Sequence, residues 1–405
     1  MNINSGDTAW VLISTALVIL MTPALGFFYG GMVRKKNLLS TIMLSVVILA
    51  LITVQWILFG YTLAFGPDHG GVIGGLDWLG LMKVGGAPHA GYAPGVPHLA
   101  FMAFQMAFAV ITPALITGAF VERINFSGFL VFTLLWATFI YAPVAHWIWG
   151  IGGWLRVLGA LDFAGGAVVH ITAGVSALAV ALVIGKRKGY GKDNMEPSNI
   201  PLTVLGAFLL WLGWFGFNGG SALSAGAVAA QALVATTASG AAAALTWMII
   251  NWSHKRPSVL GFSTGAIAGL AAVTPASGYI SPLSALLIGV IAAALSYYVI
   301  IFRMKIGFDE SLDVFACHGV GGIWGILAVG IFAQKALNPA GANGLLFGGP
   351  NLFFVQLFTV VVVAGFSFVV SYLLAKIVDT MFSLRAKDNE ESVGLDIAQH
   401  GESVY

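Results

Sequence analysis

Two histidines stand in matching company inside strongly apolar stretches. One lies in Asp162-Phe-Ala-Gly-Gly-Ala-Val-Val-His170-Ile-Thr-Ala-Gly174, the other in Asp313-Val-Phe-Ala-Cys-His318-Gly-Val-Gly-Gly322. Each has an aspartate ahead of it and a glycine four residues after. A neutral imidazole offers one donor and one acceptor nitrogen, and in an apolar medium it serves either as a hydrogen-bonded link between helices or as lining for a polar solute. A lone histidine suits the first role; a pair in pseudo-equivalent settings points to a substrate path. Aromatic residues supply a second chemistry. Phe104 and Phe108 fall one helical turn apart, while Trp149, Trp214, Phe217 and Ser221 gather at the ends of apolar runs. Interfacial aromatic belts explain any one of them, but together they suit a small cation, which gains about 0.5 to 2 kcal/mol over a ring face and can donate to a serine hydroxyl. Asp162 and Asp313 sit at helix starts, where capping orphan N–H groups is the simplest reading.

Metal chemistry is not expected. Cys317 is the only cysteine, so an intramolecular disulfide is excluded, and one thiol beside His318 lacks the further ligands a metal needs. The Gly- and Pro-rich segment 67–98 carries His69, His89 and His98 at spacings that match no ligand pattern, and is read as an irregular surface loop.

The elements that must hold these residues are membrane spans. Of 405 residues 59% are apolar by type and 8% are charged, and the mean hydropathy is +0.92; a soluble chain carries roughly 25% charge. A net charge of +2 gives no basic excess for nucleic acid. The first apolar run, from about 8 to 32, lacks a basic n-region and is followed at once by Arg34, Lys35 and Lys36, so it spans rather than being cleaved. Further spans are predicted at about 38–66, 99–121, 127–150, 163–185, 200–220, 225–252, 257–275, 281–302, 314–334 and 351–380.

Eleven spans with the N-terminus outside put the C-terminus inside. The cytoplasmic side then holds Arg34, Lys35, Lys36, Arg123, Lys186, Arg187, Lys188, Lys192, Lys255, Arg256, Arg303, Lys305, Lys376, Arg385 and Lys387; outside fall Lys83, Arg156 and Lys335. That asymmetry is what the positive-inside rule demands. The fold class expected is therefore an all-α polytopic membrane protein with an inverted five-plus-five helix repeat and an eleventh helix. Residues 1–382 form the transmembrane domain and 383–405 a cytoplasmic tail. At about 1.5 Å rise per residue, His170 lies about 12 Å below Asp162, and His318 about 7 to 8 Å beyond Asp313 from the opposite side, so both approach the middle of a core about 30 Å thick.

Several strings together make the chain resemble the ammonium transporter (Amt/Rh) family, in its bacterial and archaeal Amt branch, over nearly its whole length. They are Phe27-Phe-Tyr-Gly-Gly-Met-Val-Arg-Lys-Lys-Asn37, Phe104-Gln-Met-Ala-Phe-Ala-Val-Ile-Thr-Pro-Ala114, Gly118-Ala-Phe-Val-Glu-Arg123, Asp162 through His170, Trp214-Phe-Gly-Phe-Asn-Gly-Gly-Ser221, and Ser311 through Trp324. The resemblance implies a homotrimer in the cell membrane, each protomer with its own pore. It implies recruitment of ammonium at Phe108, Trp149 and Ser221, a gate of Phe104 or Phe108 with Phe217, a pore lined by His170, His318 and Trp214, and a structural Asp162. It implies no cofactor and no enzymatic reaction, and a PII-type signalling protein as partner at the cytoplasmic face. Cys317 departs from the small apolar residue usual in the family. An ammonium-sensing receptor of the same fold is the alternative, which a fused kinase or cyclase segment would favour; the 405 residues contain none, so transport is expected.

An apolar pore gives a reason to shed a proton. Burying an ion costs of order 20 kcal/mol by an idealised Born estimate, whereas neutralising an amine of pKa about 10.4 at pH 7 costs about 4.6 kcal/mol. Ammonia would pass where potassium, with no proton to lose, would not.

Overall fold

The computed structural model describes residues 2–254 and 256–404; Lys255 lies outside them. Among the described residues ten helices are long and apolar enough to cross a membrane. They are α1 (Ser5–Met32), α2 (Lys35–Phe65), α3 (His98–Ala119), α4 (Phe126–Leu158), α5 (Gly166–Ile184), α6 (Ile200–Gly219), α7 (Ala227–His254), α9 (Pro282–Lys305), α10 (Phe315–Phe332) and α11 (Pro350–Phe382). Between α7 and α9 lies α8 (Val259–Val273), 15 residues long. At 1.5 Å per residue it covers about 22 Å, less than a bilayer core of about 30 Å. The apolar run expected at 257–275 thus does not stay helical throughout. It turns at Thr274-Pro275, and the segment 274–280 continues as buried turns packed beneath the start of α5, where the Phe163 N–H donates to the Pro275 carbonyl at 3.1 Å.

Small residues set how closely the helices pack. A Cβ on Gly206 of α6 would overlap the Phe28 backbone of α1, and one on Gly31 would overlap Thr203. Without a hydrophobic drive between helices in lipid, such close approach supplies the dispersion contacts that hold the bundle. The same device joins α5 to α10: a Cβ on Gly174 would strike Gly319, and one on Gly322 would crowd Gly166 and the His170 Cβ.

One end of the bundle carries a connected set of charges. Glu122 receives the Arg34 backbone N–H at 2.7 Å and ion-pairs with Arg34 and Arg187, both at 3.0 Å. Arg187 also pairs with Asp309 at 2.8 Å, and Arg123, fully buried, donates to the Asp309 carbonyl at 2.8 Å and the Ser311 hydroxyl at 2.6 Å. Burial pushes the Glu122 and Asp309 carboxyls up, but the guanidiniums outweigh it and hold both below the ordinary carboxylate range.

The tail is ordered against that same end. It forms two short helices, α12 (Asp388–Val393) and α13 (Leu395–His400). The Asp396 carboxylate accepts the Leu39 and Ser40 N–H groups at 3.0 and 2.7 Å at the start of α2, and the Leu395 N–H donates to Asn37 Oδ1 at 2.9 Å. Lys36 Nζ reaches the Glu391 and Ser392 carbonyls, and the Lys188 N–H donates to Glu391 Oε1. Of the basic groups facing the tail, Lys36 and Lys188 bind it directly, while Arg34 and Arg187 turn to Glu122 and Asp309.

Candidate functional site

Three of the singled-out side chains sit on a local widening of their helix. His170 lies in a π-turn at Gly166–Ile171, Phe217 in one at Phe215–Gly219, and His318 in one at Phe315–Gly319. A π-turn shifts the hydrogen-bond ladder by one residue and displaces the inserted side chain, which is why such turns cluster at functional sites. The glycines of His170-x3-Gly174 and His318-x3-Gly322 then let α5 and α10 come close enough for the two imidazoles to meet. Their Nδ1 atoms are 3.2 Å apart and the rings are nearly parallel at 16°.

That contact fixes a division of labour. A hydrogen bond between two Nδ1 atoms needs a proton on one and none on the other. With both rings neutral, the Nδ1 donor keeps a bare Nε2 acceptor, and its partner carries the proton on Nε2. The pair therefore presents one donor and one acceptor nitrogen; His170 Nε2 has no partner in the protein.

Above the histidines the aromatic residues stack in series. Phe217 lies over His170 at 5.9 Å and 20°, and Trp214 over the same ring at 5.6 Å and 21°, with its indole N–H held by Thr274 Oγ1 at 2.9 Å. Phe108 meets Phe217 at 4.4 Å between centroids. Phe104 flanks Phe108 at 4.9 Å, and Trp149 stands edge-on to Phe108 at 5.9 Å and 90°. The Phe108–Phe217 contact makes Phe108, with Phe104 behind it, the partner of Phe217.

Three voids line up along this column. An upper vestibule of about 680 Å³ is bordered by Phe104, Phe108, Trp149, Asp162 and Ser221. A narrow space of about 10 Å³, roughly one water-sized sphere, lies among His170, His318, Trp214, Phe217 and aliphatic residues such as Leu25 and Ile111. A lower vestibule of about 280 Å³ opens beyond, lined by Tyr29, Asp313, Cys317 and His318. His318 borders both lower spaces.

Asp162 is spent within the fold. Its two oxygens accept the N–H groups of Gly165, Gly166, Ala167 and Val168 at 2.6 to 3.1 Å, which caps the start of α5, and its carbonyl accepts the Trp149 indole N–H at 2.9 Å. Asp313 behaves differently from the capping expectation. It adopts a left-handed φ of 59° and ion-pairs with Arg303 at 2.7 Å, while Glu310 Oε1 takes the Phe315 N–H at 2.9 Å. The carboxylate three residues upstream caps α10, so the apparent symmetry of the two aspartates does not extend to their bonding.

A match to the model of the Ammonium Transporter Family covers residues 9–405. The chain belongs to the ammonium transporter family. The ammonium transporter Amt1 of Archaeoglobus fulgidus is 50% identical over 402 residues, spanning 99% of this chain and all of that one. The crystal structure of Candida albicans Mep2 superposes with a TM-score of 0.91 at 34% identity, over 100% of this chain and 91% of that one. A solved structure described as a sensor Amt protein superposes at 0.90 with 30% identity over 98% of both chains. The family is one of transporters rather than enzymes, and this member is a multi-pass membrane protein.

Phe104, Phe108, Trp149, Trp214, Phe217, Ser221, His170 and His318 all border this column. The three loop histidines do not. His98, expected in the loop, begins α3, is buried, and bonds Tyr61 Oη at 2.6 Å. Thr274, which orients Trp214, and Glu310 gave no signal, because their partners lie far off in sequence or in a turn that hydropathy reads as helix.

Proposed function

We propose that this protein conducts ammonia derived from ammonium across the cell membrane, entering at the vestibule of Phe108, Trp149 and Ser221. The observation that carries the reading is the unbroken series of vestibule, closed phenyl pair, narrow space with paired imidazoles, and second vestibule. Ammonium gathers at the outer aromatic site, where Ser221 spends its proton on the Phe217 carbonyl at 2.8 Å and so offers lone pairs to a cation. It gives up a proton there to water at the open mouth of the vestibule, because an ion in the space beyond meets aliphatic walls at a Born cost of order 20 kcal/mol. Ammonia passes when Phe108 and Phe217 part. It then meets one acceptor and one donor nitrogen of the His170–His318 pair, which suit a molecule that both donates and accepts.

The orientation that fits the basic end is N-terminus outside and C-terminus inside, with eleven crossings if α8 and the turns after it count as one. A homotrimer and a PII-type regulator at the cytoplasmic face complete the proposal, both on the strength of family resemblance. The ordered tail gives that regulator a defined surface; deleting residues from Gly394 onward is expected to alter uptake and co-purification with PII under changing nitrogen supply.

The test is transport by purified protein in vesicles, recording current and internal pH with ammonium and with potassium. Saturable ammonium-driven change with no potassium response supports the pore; equal responses to both ions refute it. Current accompanying the pH change marks net charge movement, and its lack marks neutral ammonia transfer. Catalytic-scale transport also separates this reading from that of a sensor, which needs binding without flux.

A further inference from the structure

Three carboxyls stand in the short segment that leads into α10, and the arginines around them serve only two. Asp309 pairs with Arg187 at 2.8 Å and faces Arg123 at 3.9 Å, while Asp313 pairs with Arg303 at 2.7 Å. Glu310 is buried, at 1% exposure, and among the described residues it has no ion pair. Its Oε1 accepts the Phe315 N–H at 2.9 Å, at the first residue of the π-turn that carries His318. The groups that act on it by charge are Asp313 on its own segment, Arg303 from α9, the Tyr29 phenol from α1 and the Cys317 thiol from α10. Burial and the Asp313 charge outweigh Arg303 and raise the Glu310 carboxyl to about 8. The lower vestibule, bordered by the adjoining Ser311 and by Asp313, brings protons from the inner face within reach.

We propose that Glu310 is a proton-binding site through which an alkaline cytoplasm slows transport. This rests on the pore reading and on the C-terminus lying inside. With its proton on, the carboxyl caps α10 without the cost of a buried, unpaired charge. Proton loss leaves a carboxylate beside that of Asp313 in a closed site, and moving out toward water relieves it. Phe315 then loses its acceptor, the turn that follows loosens, and His318 loses the support that holds its Nδ1 3.2 Å from that of His170. With a value of about 8 when seated and an ordinary 4.5 when exposed, the ratio of loosened to seated forms rises about tenfold between pH 7 and 9. The sign suits a brake on uptake. Ammonia that has left its proton outside forms ammonium and hydroxide with cytoplasmic water, so each molecule delivered raises the pH that Glu310 meets.

The experiment follows two readouts for the wild type, Glu310→Gln and Asp313→Asn. One is amide hydrogen exchange at Phe315 in the intact protein; the other is ammonium uptake into vesicles whose internal pH is set from 7 to 9 at constant outer pH. Corrected for the intrinsic rise of exchange with pH, protection at Phe315 should fall about tenfold in the wild type. It should stay within about twofold in Glu310→Gln, which keeps an acceptor and has no proton to lose. Maximal uptake should fall by about twofold or more in the wild type and not in Glu310→Gln. Asp313→Asn removes the neighbouring charge, so both changes should set in at lower pH. Equal pH responses in the wild type and Glu310→Gln overturn the assignment. So does an unmoved response in Asp313→Asn, which decides alone if the glutamine variant does not fold. Protection that falls while uptake holds refutes control of transport. Absence of saturable uptake in the wild type, with the change at Phe315 intact, refutes the pore reading and not the proton site.

Discussion

Replacing Asp396 with Ala should release the tail while leaving the bundle intact. The Asp396 side chain is buried and supplies both acceptors for the Leu39 and Ser40 N–H groups, at 3.0 and 2.7 Å. Hydrogen bonds to a charged partner contribute about 1.5 to 3 kcal/mol each when lost singly, and removal of a capping carboxylate from a helix start costs about 0.5 to 2 kcal/mol. The two figures describe overlapping interactions, so we take about 2 to 3 kcal/mol for the side chain as a whole. At 1.4 kcal/mol per factor of ten, the undocked population should rise roughly 30- to 140-fold. Leu395 is the natural reporter, because its N–H leaves the tail to reach Asn37. Amide hydrogen exchange on the intact protein should show protection at Leu395 falling by that factor, with amides deep in α5 and α10 unchanged. Asp396→Asn, which keeps an acceptor but loses the charge, should lie between. Loss of less than about threefold in the Ala variant would refute the reasoning, because the remaining contacts through Lys36, Lys188 and Gln399 would then hold the tail unaided.

Trp149→Ala or Ser221→Ala should each weaken saturation by ammonium, by about 1 kcal/mol or roughly fivefold, while the protein still assembles; uptake curves with unchanged midpoints would count against the recruitment site. His170→Ala removes half of the imidazole pair and should impair or abolish selective transport without unfolding the bundle, and normal rate and selectivity in the double variant with His318→Ala would make the pair structural. Burial, with the Asp313 charge beside it, raises Glu310 to about 8 from an ordinary 4.5. A carboxyl raised by folding binds its proton more tightly in the native state, so the wild type should lose stability as pH rises from about 4.5 to 8. Glu310→Gln should flatten that slope in thermal unfolding followed across the range, and an unaltered slope would show that Glu310 titrates normally.

Hydropathy located the spans because burial in lipid leaves a continuous apolar trace, and His170, His318 and the aromatic residues stood out against it. The same trace misjudged 257–275: the residues after Val273 are as apolar as a helix, but Pro275 lets the chain turn while protein on every side keeps it buried. Local spacing also failed at the start of α10, where Asp313 held the expected capping position yet Glu310 does the capping from three residues earlier. Arg187 with Glu122 and Asp309 joins segments 65 and 122 residues apart. Nothing in the pattern of one segment announces a partner that distant, and the count of basic residues by side is blind to which of them are already neutralised.

The contact between Asp396 and the start of α2 joins residues 357 positions apart. Synthesis at about 5 to 20 residues per second separates the appearance of these two segments by roughly 20 to 70 seconds. For that interval Leu39 and Ser40 stand at the membrane surface with two helix-start N–H groups served only by water, and Asn37, buried at the end, lies open. The docking of the tail is thus a late event that reads the shape of a face assembled from three much earlier loops, those of Lys36, Ile124 and Lys188. A nascent protein whose helices inserted out of register would present that face wrongly and leave its tail loose, exposed to proteases. Tail closure distinguishes a finished bundle from a misassembled one before any substrate has been carried.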